Sequence, residues 1–229
     1  MKKYLFILLV FIASSASAQI TKFTIKGVIA NTDSIKYAYL TTLSQQVPIS
    51  DEKIFMVTPV VDGKFEFNGT FDLEGKDYQY ASVFVEERGN ISKEEALSKF
   101  RNLIWVTGRR RNARLLVLEN LTLSIDEYGK TKVSKIIEGG ILTKQDDEYK
   151  MAVREGGRQL ISFIKKYPNS PISYYGVKET TSLFDAAHRD KFTSLWGSPS
   201  ELFNELSTKL QNSKQGIELK KSIDAKAKL

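Results

Sequence analysis

The sequence predicts an α+β fold, in which an antiparallel β-sandwich is followed by a region of short α-helices. Residues 19–139 contain short runs rich in Val, Ile, Thr, Phe and Tyr, each bounded by Gly, Asn, Asp or Pro. This pattern is typical of antiparallel strands joined by tight turns. From Lys144 onward, apolar residues recur with the period of amphipathic helices. No helical pattern alternates with the strands, so parallel βαβ units are not expected. We therefore predict a β-sandwich domain over residues 19–139 and a helical region over residues 140–229.

The first 18 residues have the pattern of a secretory signal peptide. Two lysines precede an apolar run at residues 4–13, which is shorter than the roughly 20 residues that span a bilayer. An Ala-Ser-Ala motif ends at Ala18 and predicts cleavage between Ala18 and Gln19, a retained N-terminal anchor being the alternative. We therefore predict an exported protein with the periplasm as its location, an envelope-associated position being the alternative.

The absence of cysteine limits the possible chemistry. The sequence contains none, which excludes a thiol nucleophile, a redox dithiol and a thiolate metal site. The net charge of +7 is not concentrated in a basic face with interleaved aromatic residues, so nucleic-acid binding is not expected. We read the charge as a solvated surface.

Strands are expected in nine runs of the first region. The clearest pattern is VVDGKFEFNGTF at residues 60–71. Asp62-Gly63 favours a tight turn, because Gly adopts positive φ at little cost and Asp tolerates it. Phe65 and Phe67 then point to one side of the strand, and Asn68-Gly69 predicts its end or a bulge. We interpret the stretch as a core hairpin. The nine runs are FTIKGVI, KYAYLTTL, IFMVTPVV, KFEFNGTF, YQYASVFVEE, NLIWV, ARLLVLE, LTLSID and KVSKIIE.

A short helix is expected between the strands. Ser92 is followed by Glu95 three residues later, which is the pattern of a capping box. We predict a helix over residues 92–101, packed on one edge of the sheet. A charged loop is the alternative.

An arginine cluster follows, in the stretch GRRRNAR at residues 108–114. It lies between two predicted strands, where a hairpin tip is expected. We consider Arg109, Arg110, Arg111 and Arg114 candidates for binding an anionic partner, because exposed guanidinium groups pair well with phosphates and carboxylates. The alternative is a charged turn that protects a strand end from edge pairing.

The helical region begins with one predicted amphipathic helix whose first turn contains Asp146, Asp147 and Glu148, which suits the positive end of a helix. Gly156-Gly157 predicts a kink or close packing in it, and the prolines of YPNSPIS predict its end. The next helices are expected to begin at three caps. These are Ser173, Asp185 and the box formed by Ser198, Pro199 and Glu201.

No catalytic constellation is evident in the sequence. The single histidine, His188, has no ligand at metal-site spacing, and we expect the acids at Asp185 and Asp190 to lie off its face. Adjacent carboxylates such as Asp146-Asp147 point apart, so we interpret them as solvated faces rather than as a hydrolytic pair. We predict a non-enzymatic chain without a cofactor or a metal. A cofactor-independent enzyme that uses Ser, Lys or carboxylates is the alternative.

The order of several motifs resembles a known family. FTIKGVI, AYLTTL, VVDGKFEFNGTF, LLVLENLTLSIDEYG, the DDEY helix and FIKKYPNSPIS are similar to the domain of unknown function at the N-terminus of exported bacterial thiol-disulfide oxidoreductases. The resemblance covers most of Phe23 to Leu229. It implies an envelope location and a link to redox partners. The family's Cys-x-x-Cys pair has no counterpart in this sequence, so we expect the thioredoxin-like domain to be missing and no redox activity is implied.

We therefore predict an exported, non-catalytic interaction or ligand-binding module. An envelope protein, a thioredoxin-like protein or a cell-envelope glycan is its expected partner, and no transmembrane segment is expected. The alternative is an accessory partner, or a truncated remnant, of a thioredoxin-like thiol-disulfide oxidoreductase.

Overall fold

The computed structural model describes residues 19–30, 35–42, 53–86, 91–95, 98 and 113–228. Three sequence predictions therefore lie wholly or partly outside the described residues. The signal peptide and its last residue Ala18 lie outside, and so do Arg109, Arg110 and Arg111 with the NLIWV strand. The helix predicted over residues 92–101 lies partly outside, and its described residues 93–95 and 98 are helical.

Eight strands in the described part of the chain form two four-stranded sheets. The first sheet has the strand order β4-β1-β7-β8 and the second has the order β3-β2-β5-β6. The strands are β1 (Ile20–Ile29), β2 (Tyr37–Thr41), β3 (Phe55–Pro59), β4 (Lys64–Asp72), β5 (Tyr80–Glu86), β6 (Ala113–Val117), β7 (Leu121–Ile125) and β8 (Lys135–Gly139).

The pairing is antiparallel except between β1 and β7, which run parallel. A purely antiparallel arrangement was the sequence prediction, and this pair corrects it. Parallel neighbours need a long crossover connection. Here the whole second sheet lies between β1 and β7 in the sequence, so the chain has ample length to return in the same direction.

The two sheets share one hydrophobic core. Alternation along each strand places one set of side chains in this core and the other set outside it. Of the core side chains, Phe67 and Leu123 of the first sheet and Leu40, Val83 and Leu116 of the second are almost completely buried. Burial of a side chain of this size contributes about 1.5–3 kcal/mol. The core therefore holds the two sheets together without a disulfide.

The stretch VVDGKFEFNGTF folds as predicted at its turn but not at its pairing. Asp62 and Gly63 both have positive φ, 49° and 70°, and Lys64 N–H donates to the Val61 carbonyl at 2.9 Å. The strands on either side, however, lie in different sheets. The predicted core hairpin is therefore wrong, because β4 pairs along its length with β1 instead of with β3.

Strand β4 also continues through Asn68-Gly69, where the sequence predicted an end or a bulge. The reason is the pairing of Gly69 with Phe23 on β1. A Cβ atom on Gly69 would lie 2.6 Å from Phe23 Cζ, so the aromatic ring occupies the space that a side chain would need. The glycine is thus part of the core packing rather than a break in the strand.

Seven α-helices follow β8 within residues 141–228, all of which are described. Gly156 and Gly157 have φ of 66° and 56°, so the single predicted helix is two helices separated by this pair. The first begins at Ile141, which places Asp146 in its second turn and not in its first. The helices are α1 (Ile141–Glu155), α2 (Gln159–Lys166), α3 (Pro171–Leu183), α4 (Arg189–Trp196), α5 (Pro199–Asn204), α6 (Thr208–Gln211) and α7 (Lys214–Ala227).

Serine residues cap several of these helices. Ser198 and Glu201 form the predicted capping box at the start of α5. Helix α3 is capped by Ser170, with Pro171 as its first residue. The predicted cap Ser173 lies inside α3, because proline is well suited to the first helical position and extends the helix toward its N-terminus. The Asp185 carboxylate accepts from Ala187 N–H at 3.0 Å, at the start of a short 3-10 helix.

The carboxylate of Glu119, which lies between β6 and β7, attaches helix α1 to the second sheet. Gly140 precedes α1 and offers no side-chain cap. Instead, Leu142 and Thr143 donate their backbone N–H groups to Glu119 at 3.1 and 2.7 Å. The Thr143 hydroxyl also accepts from the backbone N–H of Val117 in β6 at 3.1 Å. Glu119 therefore satisfies the free N–H groups at the positive end of α1.

Among the described residues, no helix has both the length and the apolar character needed to cross a membrane.

Candidate functional site

A large cleft lies between the second sheet and the helices, and we call it the tyrosine cleft. Its volume is about 2110 Å³, which exceeds the roughly 300–1,000 Å³ of a typical small-molecule pocket. Strands β5 and β6, the segment before β5, residues 132–134 and helices α1, α3 and α7 line it. The five tyrosines that define it are Tyr78, Tyr80, Tyr149, Tyr174 and Tyr175.

The polar centre of the cleft is a buried carboxylate. Asp146 on α1 is only 1 % exposed. Its Oδ1 accepts from the Tyr80 hydroxyl at 2.6 Å, and its Oδ2 is paired with Lys150 one turn later. The Lys150 ammonium also lies over the Tyr80 ring, 5.5 Å from its centroid, which is within cation–π range. These contacts fix Tyr80 of the sheet against α1.

A second tyrosine–carboxylate contact joins α1 to α3. The Tyr149 hydroxyl donates to Glu179 Oε2 at 2.5 Å. A Cβ atom on Gly176 would lie 2.8 Å from Tyr149 Cε2, so α3 approaches this ring closely because position 176 is a glycine. The Tyr149 and Tyr175 rings are 6.4 Å apart and nearly perpendicular, a favoured arrangement for aromatic pairs.

Burial raises the pKa of these phenols. Loss of hydration raises the pKa of Tyr78 to about 12. It also raises the pKa of Tyr80 and Tyr149 far above the usual range, and the neighbouring Asp146 and Glu179 carboxylates add to the effect. The Tyr80 and Tyr149 phenols therefore act as hydrogen-bond donors to these two carboxylates.

Of the four arginine candidates, only Arg114 is among the described residues, and it lies in the wall of the cleft. It is the second residue of β6, and its guanidinium is bound by both oxygens of Asp147 on α1. The Nε atom is buried and has no hydrogen-bond partner among the described residues. Arg114 therefore connects the sheet to α1, and its charge is already paired.

His188 lies away from the cleft and is exposed. Its Nδ1 is 2.7 Å from Asp185 Oδ2, so the prediction that Asp185 lies off its face is wrong. The short 3-10 turn brings residues three positions apart together. This hydrogen bond also lowers the pKa of the Asp185 carboxyl. The contact is local and surface-exposed.

Metal chemistry finds no support within the described ranges. No group of three or more His, Asp or Glu side chains there is arranged to hold a metal ion. The pair Asp146-Asp147 has two different partners, Tyr80 and Arg114, on neighbouring strands of the second sheet. Its interpretation as a solvated face is wrong for Asp146, because the Tyr80 and Lys150 contacts compensate its burial.

Sequence reasoning did not identify the tyrosines as a site. They come from three separate segments of the chain, so no local motif joins them. One signal was available. Asp146 lies three residues before the aromatic Tyr149 and four before Lys150, so all three share a helix face. An acid with that spacing indicates an ion pair with the lysine on the helix face that carries the tyrosine.

Comparisons with protein-family models, curated proteins and solved structures found no match to this chain.

Proposed function

We propose that this protein is an exported, non-catalytic binding module, and that the tyrosine cleft binds an extended segment of another envelope molecule. The observation that carries the proposal is the cleft itself, a concave surface of about 2110 Å³ lined by five tyrosines. Its size suits a polymer segment rather than a small molecule.

The residues that line the cleft support its role as a binding surface. Tyrosine is enriched at protein interfaces because a large rigid ring is combined with one hydroxyl group. Tyr78 and Tyr80 are 5.2 Å apart at 83°, so the wall presents both ring faces and ring edges. The exposed parts of these rings can stack on a ligand, whereas the Tyr80 and Tyr149 hydroxyl groups already donate to Asp146 and Glu179.

The cleft is built from contacts that exist without a ligand. Tyr80 with Asp146, Arg114 with Asp147, and Glu119 with the start of α1 all join the sheet to the same helix. A site that is formed before binding loses less conformational entropy when the ligand arrives. This favours binding without a large rearrangement.

Several parts of the proposal rest on the sequence. The exported location rests on residues 1–18. The kinship with the N-terminal domain of thiol-disulfide oxidoreductases stays a prediction. We also propose that the two sheets form a β-sandwich, which their shared core supports.

The proposal is tested by photo-crosslinking in cells that produce the full chain. A photoreactive amino acid replaces Met151, which lines the cleft and is 48 % exposed. The matched control is Ile217 on α7, which is 49 % exposed but does not line the cleft. We expect a discrete crosslinked species from position 151 alone, recovered in the periplasmic fraction. No species at 151, or the same species at both positions, contradicts the proposal.

A further inference from the structure

Most acidic side chains of the tyrosine cleft already have a partner within the protein, whereas several basic ones do not. This difference indicates the class of ligand that the cleft binds. Seven basic and five acidic residues line it. The basic residues are Lys76, Arg114, Lys132, Lys150, Arg154, Lys178 and Lys226, and the acidic residues are Asp77, Asp146, Asp147, Glu179 and Glu218.

Most of the acids are already used by the fold. Asp147 binds Arg114, Asp146 binds Lys150, and Glu179 accepts from Tyr149. Lys226 donates to the carbonyls of Ser182 and Phe184 at 2.8 and 3.2 Å. These groups hold the helices and the sheet together, so they are not available to a ligand without breaking those contacts.

Once these contacts are set aside, four exposed basic side chains and two exposed acidic side chains are left in the lining of the cleft. Lys76, Lys132, Arg154 and Lys178 make no ion pair with any described residue, whereas the uncommitted acids are Asp77 and Glu218. A concave surface with an excess of one sign of charge raises the local concentration of the opposite sign. The cleft is therefore complementary to a negatively charged ligand.

The apolar side chains in the same wall favour a polypeptide. Leu115, Val133 and Met151 are exposed and line the cleft beside the tyrosines. Such side chains contact the apolar side chains of a peptide, and Met and aromatic residues are enriched in protein interfaces. A polysaccharide offers hydroxyl groups at most of these contacts and leaves the aliphatic side chains without a matching surface.

We propose that the ligand of the tyrosine cleft is an acidic polypeptide segment that also contains apolar or aromatic residues. Its carboxylates pair with Lys76, Lys132, Arg154 and Lys178, and its apolar side chains pack on the tyrosines and on Met151. This inference rests on the proposed binding function and specifies the ligand class.

The probes are a synthetic peptide in which Glu alternates with Tyr and Leu, its isomer with Lys in place of Glu, and an oligogalacturonate of equal charge. Binding to the full chain is followed by fluorescence anisotropy at several salt concentrations. We expect the acidic peptide to bind, its affinity to fall as salt screens the charges, and the other two probes to bind at least about 10-fold more weakly.

A charge reversal in the cleft is compared with one outside it. Arg154→Glu and Lys144→Glu both change an exposed cation on α1, but residue 144 does not line the cleft. We expect Arg154→Glu to weaken the acidic peptide by about 3-fold to 10-fold, and Lys144→Glu to change the affinity by less than about 2-fold. Circular dichroism melting curves verify that both variants fold.

The possible failures are distinguishable. Equal binding of the acidic and basic peptides, or binding of oligogalacturonate as tight as that of the acidic peptide, overturns the inference. So does a crosslink at position 151 that the acidic peptide does not compete away, although the proposed binding function then stands. Absence of both the crosslink and peptide binding overturns both.

Discussion

The two regions of this molecule are stabilised in different ways. The sheets depend on residues far apart in sequence, since β1 lies between β4 and β7 and all three contribute to one apolar core. The helical region also has an apolar core, but its helices are short, and four of them begin at a serine that caps the backbone. Short helices are marginal alone. We infer that packing dominates in the sheets, whereas caps add a measurable share in the helices.

The cleft arises where these two kinds of structure meet. Helix α1 contacts the sheet through polar groups, in the pairs Tyr80–Asp146 and Arg114–Asp147 and at the Glu119 cap. Its Tyr149 side chain also contributes to the helical core. The same helix therefore joins the two regions and supplies one wall of the site.

The largest effect is expected from a charge placed in the sheet core. Phe65 is buried, and its ring packs directly over Gly27 of β1. Phe65→Asp lowers the free energy of unfolding by about 3–5 kcal/mol through lost packing. It also buries a carboxylate without a partner. Because small domains have only about 5–15 kcal/mol of stability, we expect this variant not to fold.

Far-UV circular dichroism with urea denaturation measures the change. Lys64→Asp, at the exposed neighbouring position, is the control and should fold normally. A stable, folded Phe65→Asp protein would show that the sheets do not depend on this core.

A smaller effect is expected at the junction between the regions. Asp146→Ala leaves the hydroxyl of the half-buried Tyr80 without its acceptor and removes the Lys150 pair. We expect a loss of about 1–3 kcal/mol, measured by urea denaturation. Tyr80→Phe should lose about 1 kcal/mol, and the double variant should lose less than the sum of the two. Additive losses would contradict a direct Tyr80–Asp146 contact.

Removal of a helix cap should have a still smaller effect. Ser198 accepts from Glu201 N–H at 3.2 Å, and Glu201 accepts from Ser198 N–H at 2.8 Å. We expect Ser198→Ala to lower the free energy of unfolding by about 1 kcal/mol. Ser194→Ala, in the exposed last turn of α4, is the control and should change it little. Equal effects at both positions would argue against a role for the capping box.

The smallest predicted effect depends on pH. The Ser198 N–H hydrogen bond, with the neighbouring Arg158, lowers the pKa of Glu201 to about 2. A lowered carboxyl pKa contributes stability above the unfolded pKa of 4.5, and this contribution is lost as pH falls toward 2. Because Glu201 is half-exposed, we expect a contribution of about 1 kcal/mol or less.

The difference in unfolding free energy between wild type and Glu201→Gln, measured from pH 6 to pH 2, should shrink as the pH falls across this window. A difference that is constant with pH would contradict the prediction.

The fold class and most strands could be predicted because they leave a local trace. The alternation of Phe65 and Phe67 with charged residues depends only on the strand's own geometry. The choice of the partner strand, in contrast, depends on residues elsewhere in the chain. Nothing near Asp62-Gly63 indicates that the chain changes sheets there, or that Phe23 covers Gly69, since both depend on residues about forty positions away.

The candidate site was less predictable than the fold for the same reason. The five tyrosines are brought together by the docking of α1 and α3 beside β5. Their separate segments have no shared motif. In the helical region, Gly156-Gly157 predicted a kink, but the positive φ of both residues separates two helices. Likewise, Ser170 and not Ser173 caps α3, because Pro171 fits its first position.

The most direct test is whether α1 and the sheets unfold together, since a pre-formed cleft requires that α1 stay in place. Hydrogen exchange of the full chain is followed by mass spectrometry at increasing urea concentrations, for peptides that cover β1, β7, α1 and α3. We predict one common urea midpoint for the four segments. Loss of protection in α1 and α3 at a lower urea concentration than in β1 and β7 would contradict a cleft built on a single cooperative unit.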